Sequence, residues 1–463
     1  MSASQAPITA GSITARLDRL PSSKHVWKII ALLSLGGCFE FYDLFFTAYV
    51  APGLTAHGMF SPTTVSLFGS SGFASFVAAM FAGLFVGTLV FGFVADRFGR
   101  RAIFTWSLIW YSIGTAVMAF QSTAITIDLW RFIAGIGIGV ELVTIDTYVS
   151  ELIPKHLRGR AFAFNQFITF SVVPLVALLA FLLVPHKPYG LDGWRWVVLV
   201  GSLGAIVVWW IRLGIPESPR WLIQRGRLAE ADRITAAIER AVMAETGPLP
   251  APAPSVEEVE HHGSFAEIWQ PPYRRRTIMM SFYNAFQSIG FYGFANWVPT
   301  LLIAKGLHVT TSLEYAFVIA IANPVGPLLG MLVADRMERK WQVVSAAFCV
   351  GLFGVLFSLP TSGTLVILCG VLLTLSNNWM SFSFHSYQTE LFPTRVRARA
   401  VGFVYSWSRL TVVFSGFIIA FFLRTSGVPG VFLFIAASMV AVMLIIGIFG
   451  PRTRNLALEE ISH

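Results

Sequence analysis

The chain is poor in charge. Only 12% of its 463 residues are Asp, Glu, Lys or Arg, whereas soluble domains carry about 25%. Hydrophobic residues make up 55% and the mean hydropathy is +0.69. That balance excludes an ordinary soluble protein and implies an all-α protein of the membrane. Cysteine is scarce as well. Cys38, Cys349 and Cys369 stand singly in apolar segments, with no CxxC and no Cys/His cluster, so neither a disulfide frame nor a metal site is supported. No nucleophile–base set is evident, which argues against an enzyme and against any cofactor. The first 25 residues are polar, small and moderately basic and do not read as a secretory signal. Acidic residues are outnumbered, 24 to 33. In a soluble chain this would suggest nucleic acid; in a membrane chain it is a topology signal, and no nucleic-acid partner is expected.

What is abundant is long apolar runs. They fall at about 27–50, 67–95, 102–121, 126–151, 160–184, 195–215, 277–303, 312–334, 341–359, 364–390, 398–423 and 429–449. Each can cross a hydrocarbon core of about 30 Å as a helix. The reading is twelve spans in two groups of six: an N-terminal segment 1–26, a bundle 27–215, a linker 216–276, a second bundle 277–449 and a tail 450–463. Within the linker, Leu228, Ile234, Ile238 and Val242 share one side of a short amphipathic helix over 228–244, and GPLPAPAPS at 247–255 reads as flexible.

Lys187, Arg195, Lys305 and Arg424 fall on one side of this arrangement, Arg131 and Arg409 lie inside spans, and Arg212 sits at the inner end of span 6. The remaining basic residues lie in the termini and in the loops on the termini's side. The positive-inside rule therefore places both termini in the cytoplasm, with the chain in the cell (inner) membrane.

The two halves repeat. Asp96, Arg97, Arg100, Glu151, Pro154 and Arg158 recur as Asp335, Arg336, Arg339, Glu390, Pro393 and Arg397, every pair 239 positions apart. One register for six matches implies duplication. Membrane repeats of this kind build a central site that opens to alternate sides.

These motifs resemble the major facilitator superfamily along nearly the whole chain. Gly92-x-x-x-Asp96-Arg97-Phe98-Gly99-Arg100-Arg101 is similar to its loop motif between spans 2 and 3, and the second copy departs from it at Met331 and Glu338. Arg131-x-x-x-Gly135-x-Gly137-x-Gly139 is similar to its span 4 motif. Tyr148-x-x-Glu151-x-x-Pro154-x-x-x-Arg158-Gly159, Pro216-Glu217-Ser218-Pro219-Arg220 and Leu458-Glu459-Glu460-Ile461 resemble the sugar-porter branch and its relatives for organic acids, although Arg452 replaces a customary glutamate. The loop residues Asp96, Arg97, Arg100, Glu151, Arg158, Asp335, Arg336, Glu390 and Arg397 are expected to form charge contacts that hold one conformation and break in the other.

Ionisable groups inside a membrane are costly, so each is a functional candidate. Span 1 carries Glu40 and Asp43 on one helical face, span 4 carries Arg131, Glu141 and Asp146, and span 11 carries Arg409. None repeats at the 239 offset. The resemblance implies that Asp43, following Phe41-Tyr42, pairs with Arg131 and carries a proton, with Glu40 and Glu141 as competitors. Arg409 cannot shed its proton and presents a fork suited to a carboxylate. Asn284, Gln287 and Tyr292 of span 7, Asn378 and Trp379 of span 10, and Tyr42 and Tyr405 complete the candidate substrate site, while His385 reads as a packing or gating residue.

The paired glutamines of sugar porters are reduced to Gln287, and Trp379 stands eleven residues before Glu390, farther than in those porters. Span 5 lacks the Gly- and Pro-rich motif of drug/proton antiporters. The expectation is a monomeric, proton-coupled symporter of a small organic acid, an aromatic or other monocarboxylate. A facilitator or symporter for sugars or organic cations, and a nutrient sensor, remain the alternatives.

Overall fold

The computed structural model describes residues 9–453 apart from 62, 68–70, 92–96, 253–263, 272, 335–336, 360–361 and 393. The described residues are helical almost throughout. Eight of their helices are long and apolar enough to cross a membrane, and Phe73–Leu89 is a shorter apolar one.

Span 1 is the helix Lys24–Ala56, opened by Ser23, whose Oγ accepts the Val26 N–H at 3.3 Å. Its 33 residues make it about 50 Å long at 1.5 Å per residue, so its charged start projects beyond the bilayer core. Spans 2 to 5 are Phe73–Phe91, Arg100–Ala119, Ala124–Leu152 and Arg158–Leu183. Spans 9 and 10 are Arg339–Ser358 and Gly363–Glu390.

Three spans read as single runs are built from two helices each. Span 6 is Gly193–Ser202 plus Gly204–Gly214, span 7 is Tyr273–Ala295 plus Val298–Ala304, and span 8 is Val309–Ala320 plus Ala322–Ala334. Pro299 stands in the first turn of the second piece of span 7, where its missing N–H costs nothing. Spans 11 and 12 form one helical run, Thr394–Phe449, interrupted only at Gly427 with φ 65°. Glycine alone enters that backbone region without a steric cost, so the chain reverses between two spans at a single residue.

Lipid is as apolar as the helices it surrounds, so close packing rather than hydrophobic exclusion joins them. Spans 2 and 4 touch backbone to backbone. A Cβ on Gly83 would fall on the Phe132 carbonyl, and one on Gly135 would fall on the Met80 carbonyl. The glycine motif of span 4 is thus a packing surface. It draws Arg131, one turn earlier, up against Met80.

On the termini's side a small polar layer forms. The linker helix runs Leu228–Thr246 and stops at Gly247, φ 80°. A helix that the sequence did not suggest, Ala10–Asp18, docks on it. Arg16 pairs with Asp232 at 2.5 Å and Glu239 at 2.6 Å, Arg19 with Glu239 at 2.5 Å, and Arg220 with Asp18 at 2.7 Å. Ile13 is fully buried against Trp221, Leu222 and Ala231.

Spans 1–6 and 7–12 form the two halves. On the side opposite the termini they meet through aromatic edges: Phe73 against Trp297 at 5.2 Å between ring centroids, and Phe81 against Tyr292 at 4.7 Å. Span 2 of one half and span 11 of the other are closely packed along this seam.

Candidate functional site

Between the halves lies a cavity of about 530 Å³ of atom-free space, solvent at its mouth included. Spans 1, 4 and 5 supply one wall and spans 7, 10 and 11 the other. The lining is mostly aromatic, with a few polar groups: Gln166, Gln287, Tyr292, Ser381, His385, Tyr405, Ser408 and Arg409.

Arg409 is the one charged side chain fixed in this wall that cannot be neutralised by losing a proton. It is 3% exposed. Its Nη1 donates to the Tyr292 hydroxyl at 3.3 Å and to Ser408 Oγ at 3.2 Å. The guanidinium lies over the Tyr405 ring, 4.4 Å from its centroid, and near the Tyr292 ring at 5.9 Å. His385 stacks on Phe384 at 4.2 Å and meets Tyr405 edge-on at 5.5 Å. The ion pairs formed among the described residues do not include Arg409. Its partners are phenols and a hydroxyl, which leave the positive charge uncompensated at close range.

A second centre lies inside the N-terminal half. Asp43 and Arg131 form an ion pair, both with no exposure. Thr115 Oγ1 donates to the other carboxylate oxygen of Asp43 at 2.5 Å. Arg131 also donates to the Asp43 carbonyl at 2.6 Å, to Thr47 Oγ1 at 2.5 Å and to the Met80 sulfur at 2.8 Å, and it lies 4.4 Å from the Phe46 ring centroid. Asp128 lies one turn before Arg131, within electrostatic range of it, and accepts a hydrogen bond from Ser66 at 2.5 Å. Glu40 and Glu141 are buried as well, at 2% and 0% exposure. They lie within electrostatic range of each other, with Tyr111 beside them.

The remaining sequence candidates separate. Gln287, Tyr292, Tyr405 and Arg409 line the cavity. Tyr42 points away from it and donates to the Val197 carbonyl at 2.7 Å. Asn284 donates to Gln388 at 2.9 Å and to the Met280 carbonyl at 2.8 Å, within the C-terminal half. Asn378 lines a neighbouring, uncharged cavity with Asn323 and Asn377, and it donates to the Asn323 carbonyl at 3.2 Å. Trp379 packs against the core, half-buried, and does not line the main cavity. Gln166, Thr47, Thr115, Tyr111 and Asp128 were not singled out from the sequence. Thr47 and Asp128 carried a helical-spacing signal, four residues after Asp43 and three before Arg131. The other three had none.

Near the termini's side, Arg100 pairs with Glu151 at 2.9 Å and Arg339 with Glu390 at 3.0 Å. Glu217 accepts the backbone N–H groups of Arg100 at 3.0 Å and Arg101 at 3.2 Å, so the Pro216-Glu217-Ser218 turn caps span 3, whose own cap residue Gly99 has no side chain. Burial pushes the Glu217 carboxyl above its usual value, and these N–H donors only partly offset it. Arg158 is half-buried and its Nε donates to the Ile153 carbonyl at 3.3 Å, while Arg97 is exposed over the Phe98 ring. Asp96, Asp335 and Arg336 lie outside the described residues, as does the Arg397 side chain.

Two six-helix halves around a central cavity, with a buried arginine in its wall, have the architecture of a membrane transporter. The chain belongs to the sugar (and other) transporter family, whose model matches residues 29–463. It is 27% identical over 453 residues to the niacin transporter NiaP of Acinetobacter baylyi, covering 97% of this chain and 99% of that one. It is 28% identical over 458 residues to the inner membrane metabolite transport protein YdjE of Escherichia coli, covering 97% and 98%. The inward-open xylose transporter XylE of E. coli superposes with a TM-score of 0.75 at 20% identity, over 94% of this chain and 99% of that one, which shows the shared fold.

Proposed function

We propose that the protein imports a small organic acid, an aromatic or other monocarboxylate, together with a proton by alternating access. The observation that carries this reading is Arg409: a permanent cation in the cavity wall whose neighbours are Tyr292, Ser408 and Tyr405 rather than a carboxylate. A substrate carboxylate on its guanidinium fork would supply a directly hydrogen-bonded countercharge, and the surrounding rings suit a flat apolar body. The buried acids of spans 1 and 4, Asp43 opposite Arg131 with Glu40 and Glu141 close by, hold the coupling proton. The likeness to a niacin transporter supports a monocarboxylate cargo.

In this reading both termini face the cytoplasm across the inner membrane. The aromatic contacts Phe73–Trp297 and Phe81–Tyr292 close the opposite side, and the structure is inward-facing. The pairs Arg100–Glu151 and Arg339–Glu390 act as conformational latches, within each half, for the loops that part and rejoin during the cycle. One observation favours a second reading. Gln166 and Gln287 face the cavity from opposite halves, an amide pair that would suit a hydroxyl-rich sugar.

Uptake into proteoliposomes across a panel of acids, sugars and organic cations, with and without an inward proton gradient, tests the proposal. Gradient-driven accumulation of a monocarboxylate, reduced at least tenfold in Arg409→Ala, is the expected result. Preference for a sugar or a cation, or indifference to Arg409→Ala, would overturn it.

A further inference from the structure

Glu141 has no exposure, and neither of its carboxyl oxygens makes a well-formed hydrogen bond among the described residues, the Tyr111 hydroxyl alongside being a donor within reach. An ionised carboxylate in that position would lack water and have little beyond the Tyr111 hydroxyl to donate to it, an unfavourable burial for a full charge. Asp43 is the contrast: on the same side of the bundle, it receives hydrogen bonds from Arg131 and Thr115 on its two oxygens. Glu40 of span 1 is the acid in electrostatic range of Glu141, and the Tyr111 hydroxyl of span 3 lies among Glu40, Glu141 and Asp43. Two carboxyl groups that interact in a dry interior do not both ionise, and they titrate as one unit.

This unit stands next to the cavity. Phe41 and Leu142, which line it, are the chain neighbours of Glu40 and Glu141. Across the gap, Glu40 is within electrostatic range of Tyr292 and Arg409 of the other half. The charged and titratable groups facing the pair are therefore Asp43 from span 1, Tyr111 from span 3, Tyr292 from span 7 and Arg409 from span 11. Span 2 contributes none over Phe73–Phe91.

We propose that Glu40 and Glu141 form a proton-sharing carboxyl pair, additional to Asp43, whose second protonation follows the occupancy of Arg409 by an anion. This inference rests on Arg409 as the anion site. With Arg409 vacant, its positive charge favours an ionised Glu40, and the pair holds one proton. A carboxylate on Arg409 cancels that charge, and a Glu40 oxygen then forms an O–H bond with a proton delivered from hydronium in the cavity water. The anion and this proton enter together, apart from any proton carried by Asp43, and the net charge of Arg409, the pair and the anion is unchanged. Linkage requires the reverse as well: protonating Glu40 tightens anion binding by the same factor.

Infrared difference spectroscopy on the purified full-length protein in lipid, with benzoate as the probe, tests this. At neutral pH the wild type should show the carbonyl stretch of a buried, weakly hydrogen-bonded carboxylic acid. The band should vanish in Glu141→Gln, move in the conservative Glu141→Asp and persist in Asp43→Asn. Benzoate should about double the acid signal, from one to two protonated carboxyls, in wild type but not in Glu40→Gln. A band unaltered in both Glu141 variants, or no band in wild type, overturns the shared proton. A band that obeys the Glu141 variants but does not change when benzoate binds, binding being checked separately and lost in Arg409→Ala, leaves the pair and the anion site standing and overturns the link between them. Benzoate binding that ignores Arg409→Ala overturns the anion reading instead.

Discussion

Arg100 holds Glu151 at 2.9 Å, and the duplicated positions Arg339 and Glu390 hold each other at 3.0 Å. Each arginine opens a helix at the termini's side, and each glutamate closes one: Arg100 starts span 3, Arg339 starts span 9, Glu390 ends span 10, and Glu151 lies one residue from the end of span 4. A basic group at a helix start and an acid near a helix end both oppose the local dipole. The pairs therefore persist because each charge neutralises the other. Glu217 adds to the first copy by capping span 3 through the Arg100 and Arg101 N–H groups.

Breaking one latch should bias the conformational equilibrium without removing substrate binding. A partly buried, charge-assisted pair contributes about 1–3 kcal/mol, which corresponds to one or two decades in an equilibrium constant. Glu151→Gln and Glu390→Gln should each raise the reactivity of single cysteines placed beside the cavity toward a thiol reagent applied from one side, and lower it from the other. Unchanged labelling from both sides in both variants would remove the latch role.

The Asp43–Arg131 pair predicts a different kind of loss. Both side chains are fully buried, so removing either leaves the other charge uncompensated, at a cost of about 3–5 kcal/mol. Arg131→Ala and Asp43→Asn should both lower the thermal midpoint of the detergent-solubilised protein. The double variant Asp43→Asn/Arg131→Met should recover much of that loss, since no lone charge remains. In Asp43→Asn that folds, gradient-driven uptake should collapse while exchange of labelled for unlabelled substrate continues. Retention of gradient-driven uptake would take Asp43 out of the coupling.

The termini-side layer predicts a pH dependence. Burial pushes the Glu239 carboxyl up, but hydrogen bonds from Arg16 and Arg19 outweigh it, so the folded-state value lies below the usual 4.5. A depressed carboxylate stabilises the docked state above its unfolded value, and that contribution is lost as pH falls through the folded one. Docking of Ala10–Asp18 should therefore be constant from neutral pH down to about pH 5 and weaken progressively below it. Limited proteolysis near Arg16 and Arg19 would report this, and Glu239→Gln should give the low-pH pattern at pH 7. Protection that does not change with pH or with this substitution would assign the docking to Ile13 and Leu17 alone.

Much of the scaffold was legible in the sequence, because a bilayer imposes long apolar runs and sorts arginine and lysine by side. Span breaks were not, since Leu203 and Ile321 are apolar residues inside apolar runs, and the break is set by packing against neighbours. The helix Ala10–Asp18 escaped notice because only Ile13 and Leu17 are buried on it, and its docking depends on Asp232 and Glu239 more than 200 residues away. At the site, Asp128, near the start of span 4, was passed over, but Glu40, Asp43, Arg131, Glu141 and Arg409 were visible because charge within a span is rare. Their neutral partners were not: Thr115 and Tyr111 look like ordinary span 3 residues until the fold sets them beside Asp43 and Glu141. Tyr42 and Asn284 show the converse, polar residues of the right spans whose side chains turn to other partners.

The glycines of spans 2 and 4 link that scaffold to its chemistry. A Cβ on Gly135 would meet the Met80 carbonyl, and one on Gly83 the Phe132 carbonyl, so substitution at either must separate the two helices. Separation would draw Arg131 from Met80 of span 2, to which it donates at 2.8 Å, and so disturb the guanidinium that holds Asp43. Gly135→Ala should therefore cost more than the roughly 1–3 kcal/mol of simple overpacking, and Gly135→Leu should prevent folding. The informative comparison is Gly135→Ala alone against Gly135→Ala with Asp43→Asn/Arg131→Met. If the glycine serves the ion pair, its penalty in thermal midpoint should shrink in the uncharged background. An equal penalty in both would mean that the glycine serves helix packing only.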